Sequence, residues 1–160
     1  HDNIVGGATT PVAEWVTALN TATQQMAEQR GLDVANGAAL NISPQYLIFA
    51  PAKAGIVRQT LGSTSSDATN PNITNIWQGG LTPVQEAELG TAAGGTDAIS
   101  YVAANSGDVD TIEYAFLQGL ESPVIEQETS FTSLGMKQRI YQAFAVAPID
   151  HRGLQRLTGS

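Results

Sequence analysis

Two histidines, His1 and His151, are the only side chains of the sequence that ordinarily titrate near neutral pH, and there is no cysteine. The lack of cysteine removes disulfides, thiolate metal ligands and cysteine nucleophiles together. Asp150 precedes His151 directly. Neighbours on a strand point to opposite faces, so this pair forms no nucleophile–base–orienter relay by itself. There is no G-x-S-x-G elbow, and Ser133-Leu134-Gly135 reads more simply as a turn. A small hydrolase would need Asp150, His151 and a Ser or Glu brought in by folding, with His151 in a concave pocket and a partner within about 3 Å. The simpler reading makes His151 a packing or interface residue.

The carboxylates offer three close pairs: Asp108/Asp110, Glu86/Glu88 and Glu126/Glu128. The first lacks the remaining positions of a calcium loop. The other two would each lie on one strand face, where opposed pairs across a cleft could serve glycoside chemistry, although such pairs commonly form the wet side of a strand. The Gly-Gly steps at Gly6-Gly7, Gly79-Gly80 and Gly94-Gly95 lack the Lys-Ser/Thr of a phosphate loop. Two glycosylation sequons, Asn41-Ile42-Ser43 and Asn72-Ile73-Thr74, have no secretion signal with them. The aromatic residues Tyr101, Tyr114, Phe116, Phe131, Tyr141 and Phe144 have strand spacing and little basic charge nearby, which suits a core or an interface better than a base-stacking platform. No catalytic residue, cofactor site or metal site is indicated, which favours a structural or binding role. An adhesin-like binding module, with a groove lined by these aromatics, is the non-enzymatic alternative.

Charge sharpens this. The 160 residues hold 7 Lys+Arg against 15 Asp+Glu, a net charge of −8, and only 14% are charged while 42% are apolar. Such a field repels phosphate backbones. So little solubilising charge suits a chain that hides surface against copies of itself. No run approaches the ~18 apolar residues of a membrane span. Residues 59–136 contain ten carboxylates and no Lys or Arg, whereas 137–160 carry Lys137, Arg139, Arg152 and Arg156 against Asp150 alone. Composition fits either an acidic face left in solvent or head-to-tail association and does not choose between them. In the second, Arg139, Arg152 and Arg156 would face Glu121, Glu126 or Glu128 across a subunit boundary.

The elements that would position these groups are readable. A helix is expected over residues 11–30. Thr10 would be its N-cap and Pro11 its first residue, and Val12, Trp15, Val16, Leu19, Thr23 and Met26 would form one stripe. Arg30 would sit at the negative end of the dipole and Gly31 in a left-handed closing turn. The helix should pack on a sheet through Trp15 and Leu19. Residues 45–50 read as a buried strand, Pro51 opens a second helix over 52–61, and 62–72 form a polar connector. Strands are expected over 73–78, 84–89, 98–103, 111–118, 124–129 and 136–146. Residues 120–123 would turn a hairpin between the fourth and fifth of these. The class is α+β, early helices on a mainly antiparallel sheet.

Several segments resemble the major capsid, or major head, proteins of tailed bacteriophages and prophages with the Hong Kong 97-type fold. They are Ile99-Ser100-Tyr101-Val102-Ala103-Ala104, then Asp110-Thr111-Ile112-Glu113-Tyr114-Ala115-Phe116-Leu117-Gln118-Gly119, and downstream Pro123-Val124-Ile125-Glu126 with Phe131 and Gly135-Met136-Lys137. Ala147-Pro148-Ile149-Asp150-His151-Arg152-Gly153 resembles the closing signature of that family, with His151 where relatives often carry an aromatic residue. Leu40-Asn41-Ile42-Ser43-Pro44-Gln45-Tyr46-Leu47-Ile48 and Asn70-Pro71 are similar to upstream motifs. The resemblance spans roughly residues 10–157.

It implies a single capsid-type unit over 1–160, with about 8–108 in the axial domain and about 109–157 supplying peripheral-domain strands. The N-terminal arm, elongated loop and spine helix of such proteins would precede His1, which makes the chain a fragment. The implied role is structural: self-assembly into rings of five or six in a virion built in the bacterial cytoplasm. Scaffold or prohead protease are possible further partners, and no membrane or specific nucleic acid is implied.

Overall fold

The computed structural model describes residues 4–7, 12–31, 37–65, 72–129 and 134–159. His1, Thr10, Pro11, Asn70-Pro71, Phe131 and Ser133, all invoked above, lie outside them. The chain divides into two compact units, one of residues 1–111 with 150–160 and one of 112–149.

The first unit is built around helix α1 (Val12–Ala27). Its Trp15, Leu19, Ala22 and Met26 are buried, as the three-and-four spacing requires, against Leu47, Phe49, Val102 and Leu157. Full burial of one such large side chain stabilises the fold by about 1.5–3 kcal/mol. Thr17, Thr21 and Thr23 return their hydroxyls to carbonyls four residues back, which suits polar β-branched residues to a helix surface. The helix ends before Arg30, and Gly31 is not among the positive-φ glycines, so both expectations for its C-terminus fail. Incoming chain supplies the cap instead. Leu40 N donates to Gln29 O and Asn41 N to Ala27 O, so no left-handed turn is needed. Arg30 reaches Gly37 O at 2.9 Å.

The sheet order is β1-β9-β4-β2-β3, formed by β1 (Ile4–Gly7), β2 (Pro44–Phe49), β3 (Thr82–Gln85), β4 (Ile99–Ala104) and β9 (Leu154–Gly159). β4 pairs antiparallel with β2 and β9, whereas β1–β9 and β2–β3 are parallel, so this sheet is mixed. Strands β1 and β9 were not anticipated. Alternation puts Leu47, Phe49, Val102, Gln155 and Leu157 in the core, while Tyr46, Ile48, Tyr101, Leu154 and Arg156 are half-buried on the opposite face.

Residues 51–62 form a short 3₁₀ turn, Pro51–Lys53, and helix α2 (Ala54–Gly62), as expected from Pro51. Two expected strands are corrected. Residues 73–78 are a series of turns, because buried Asn75 captures the chain. Its amide donates to Thr60 O at 2.5 Å and Ser63 O at 3.1 Å, and its carbonyl accepts Trp77 N at 3.0 Å. Of 84–89 only residues 84 and 85 are strand, because the Glu86 carboxylate accepts Glu88 N and starts the 3₁₀ turn Ala87–Leu89. Glu86 and Glu88 therefore share no strand face.

The second unit holds β5 (Ile112–Phe116), β6 (Val124–Thr129), β7 (Met136–Tyr141) and β8 (Phe144–Pro148). The expected strand over 136–146 is two strands, broken at Gln142-Ala143, and the expected β5–β6 hairpin does not exist. β6 pairs with β7, and β5 pairs with β8 around it. Leu117 N donates to Ala143 O, Gln142 Nε2 to Glu121 O, and Gly119 takes φ 83°, so the chain leaves β5 without folding back onto it.

Removing the Asn75 side chain strands the Thr60 carbonyl and Trp77 N–H in the interior. Asn75→Ala should lower the unfolding free energy by about 2 kcal/mol, read by urea denaturation. A change near zero would show that this amide does not organise the segment.

Candidate functional site

The second unit carries the features that most need a function. In the β5–β8 ribbon, Ile112 stands opposite Pro148, Tyr114 opposite Val146 and Phe116 opposite Phe144. A period of two puts all six on one face, leaving Glu113, Ala115, Ala145 and Ala147 on the other. Tyr114 and Phe116 pack edge-on with ring centroids 5.7 Å apart. This apolar face lies open, with Tyr114 at 68% and Phe144 at 66% exposure.

The β6–β7 ribbon separates its chemistry differently. One face carries Val124/Tyr141, Glu126/Arg139 and Glu128/Lys137 as cross-strand pairs; the other carries Ile125/Ile140, Gln127/Gln138 and Thr129/Met136. Arg139 binds Glu126 through Nη2 and, at 2.6 Å, through Nε. The Tyr141 hydroxyl donates to Glu126 Oε1 at 3.0 Å, and the Arg139 guanidinium lies 5.5 Å from the Tyr141 ring centre. The Tyr141 hydrogen bond, followed by those from Arg139, holds the Glu126 carboxyl below its usual range, and the same bond raises the Tyr141 phenol. Glu126 and Glu128 do share a strand face, but lysine and arginine face them across the ribbon instead of another acidic pair. The uncharged face is exposed at Ile125, Met136 and Ile140.

The six residues expected at a subunit boundary fall in different places. Arg139 and Glu126 meet within one ribbon, and Glu128 stands opposite Lys137 beside them. Glu121 accepts Gly119 N at 3.0 Å, which lowers its carboxyl. Arg152 and Arg156 belong to the first unit. Arg152 clamps its own turn: its backbone N–H reaches Asp150 Oδ1 at 2.9 Å, Nε the same oxygen at 3.0 Å, Nη2 reaches Oδ2 at 2.9 Å, and Nη1 reaches Arg30 O at 3.2 Å. Arg156 lies between Ile4 and Tyr101 in the sheet, its Nε buried without an acceptor.

Asp150 is thereby committed to Arg152. The Arg152 backbone N–H, then the guanidinium, holds its carboxyl below the normal range. His151 Nδ1 is 3.9 Å from Asp150 Oδ1, and half the ring is exposed. That carboxylate orients an arginine, not an imidazole, and His151 stands in a turn instead of a strand. A Cβ at Gly153 would collide with Thr111 Oγ1 and Val109, so the glycine lets two segments approach closely. Of the aromatic residues, Tyr114, Phe116 and Phe144 share one face, Tyr141 lies on the charged face, and Tyr101 is in the first unit. The described residues contain no group of three or more His, Asp or Glu that could hold a metal, and no helix long and apolar enough to cross a membrane. The exposed faces were legible as alternation in residues 112–116 and 144–148. The pairing that unites them was not.

Among comparisons with known proteins, a family model described as "Phage capsid protein" matches residues 2–157. No curated protein and no solved structure matches the chain significantly.

Because its folded pKa is depressed, Asp150 contributes stability that is present above the normal carboxylate range and lost as pH falls through the lowered value. Asp150→Asn should cost about 1–2 kcal/mol at pH 7 and flatten the acid limb of the stability–pH curve. An unchanged acid limb would show that the Arg152 clamp does not act this way.

Proposed function

Because the chain belongs to the phage capsid protein family, with a structural place in the virion among other capsid subunits, we propose that it forms part of an icosahedral head of the Hong Kong 97 type. The observation that carries this reading is the second unit. Its two ribbons expose an apolar face of six side chains and a second uncharged face, surface that one copy in water leaves unburied. Edge-to-edge contact among many copies removes that cost, and heterologous contacts close into rings of five or six. The sparse charge of the sequence fits surfaces that neighbours cover.

In this reading the five-stranded unit is the axial part and the ribbons are peripheral. β9 belongs with the axial part because it pairs with β1 and β4. Glu121, Glu128 and Arg156 are the charges we assign to subunit boundaries. Arg139–Glu126 and Arg152–Asp150 act first as internal clamps that set the shape of each edge. Work of this kind needs no turnover, and prophage origin, a scaffold and a prohead protease fit it without further chemistry.

Mass spectrometry of purified heads should find this sequence at hundreds of copies per particle, with image reconstruction placing the five-stranded unit around the capsomer axis. A few copies per virion would refute the reading. Glu128→Lys, at an exposed position, should lower the yield of heads at least tenfold while leaving the folded fraction unchanged. Normal yield would remove Glu128 from the boundary.

A further inference from the structure

Three uncovered surfaces are candidates for a partner: the half-buried second face of the five-stranded sheet, the β5–β8 face and the uncharged β6–β7 face. The first holds Arg156 among Tyr46, Ile48, Tyr101 and Leu154 and is already half-covered. The two ribbon faces are more open and better matched to one another. Both are two strands wide and five or six residues long, and neither carries a charge. Their centres are Tyr114/Val146 on one and Gln127/Gln138 on the other, the latter flanked by Ile125/Ile140 and Met136.

We infer that the β5–β8 apolar face of one copy docks on the β6–β7 uncharged face of a second copy, a ribbon-on-ribbon contact that propagates from subunit to subunit. The inference rests on the capsid reading and names the contact that reading requires. Area supports a second copy as occupant. The exposed part of the β5–β8 face comes to roughly 600 Å², at the upper limit for a soluble monomer. A matching face of similar size brings the total to about 1,200 Å², the low end of a specific interface. Such a contact holds when many act together in a ring.

Charge supports the pairing. Neither face brings a carboxylate or ammonium into the contact, and the Glu126/Arg139 and Glu128/Lys137 pairs stay on the solvent side of their ribbon. Gln127 and Gln138 can pair with one another or with the Tyr114 hydroxyl, so the polar atoms at the centre need not be stranded. Symmetry separates the alternatives. Each face packed on its own copy is an isologous, two-fold contact, which cannot generate a ring of five or six. Pairing of unlike faces is heterologous, the type of contact that such a ring needs.

The absence of cysteine from residues 1–160 makes this directly testable, because introduced thiols are the only ones in this sequence. Val146→Cys is combined in turn with Ile140→Cys, Gln138→Cys and Met136→Cys, in heads assembled by phage carrying each variant. Mild oxidation should convert at least one double variant into a ladder of trimers and larger species, with little product from any single variant. Dimers from Val146→Cys alone would overturn the inference in favour of the isologous arrangement. Intact heads without a ladder from any pair would overturn it and leave the capsid reading standing.

A second measurement does not depend on disulfide geometry. Val146→Glu should reduce heads at least tenfold while the variant chain stays folded by circular dichroism, and Ala145→Glu on the opposite face should leave the yield within twofold. Normal heads with Val146→Glu would also overturn the inference. Failure of the wild-type sequence to appear in heads is instead the failure of the reading beneath it.

Discussion

A two-stranded antiparallel ribbon has two faces and no interior, and that constraint governs the second unit. Among the described residues of that unit neither ribbon has a third strand, and every residue of β5, β7 and β8 is exposed. Two-stranded ribbons are marginal in isolation. Here they are joined to a unit that has a core of its own, where α1 covers β2, β4 and β9. One unit supplies stability within a single copy. The other supplies open apolar surface, and under the proposed reading neighbouring subunits cover it.

The ion pairs follow the same division. Arg139–Glu126 braces one ribbon from its wet face and leaves the other face uncharged. Arg152–Asp150 ties the turn before β9 to the carbonyl of Arg30, so it serves the five-stranded sheet. Both pairs hold backbone geometry. The exposed Arg139–Glu126 pair contributes little to folding free energy, and its arrangement matters more than its strength.

The parts of the fold that the sequence made legible are those decided by local periodicity. Trp15, Leu19 and Met26 mark the helix, and the apolar run through Leu47 and Phe49 marks the buried strand, because each places its apolar residues on one side. The illegible parts depend on distant partners. β9 reads Leu-Gln-Arg-Leu-Thr-Gly, and its inward Gln155 bonds to Gln25 at 2.7 Å, so a polar residue occupies a core position and blurs the alternation. Residues 73–78 have strand composition but yield to the buried amide of Asn75. The residues of the ribbon faces were visible, whereas the β5–β8 pairing arises from a break at Gln142-Ala143 that nothing in the local pattern announces. The charged residues singled out were real features, yet two of the three arginines find partners close by in their own unit.

Strand β9 sits between β1 and β4 but follows every other described strand in sequence. A ribosome working from the N-terminus therefore releases both ribbons before the five-stranded sheet can be completed. β1 has no other partner in that sheet until β9 emerges, and contacts this distant in sequence form slowly. Newly made chains thus show the open ribbon faces to solvent before the core of the first unit is sealed.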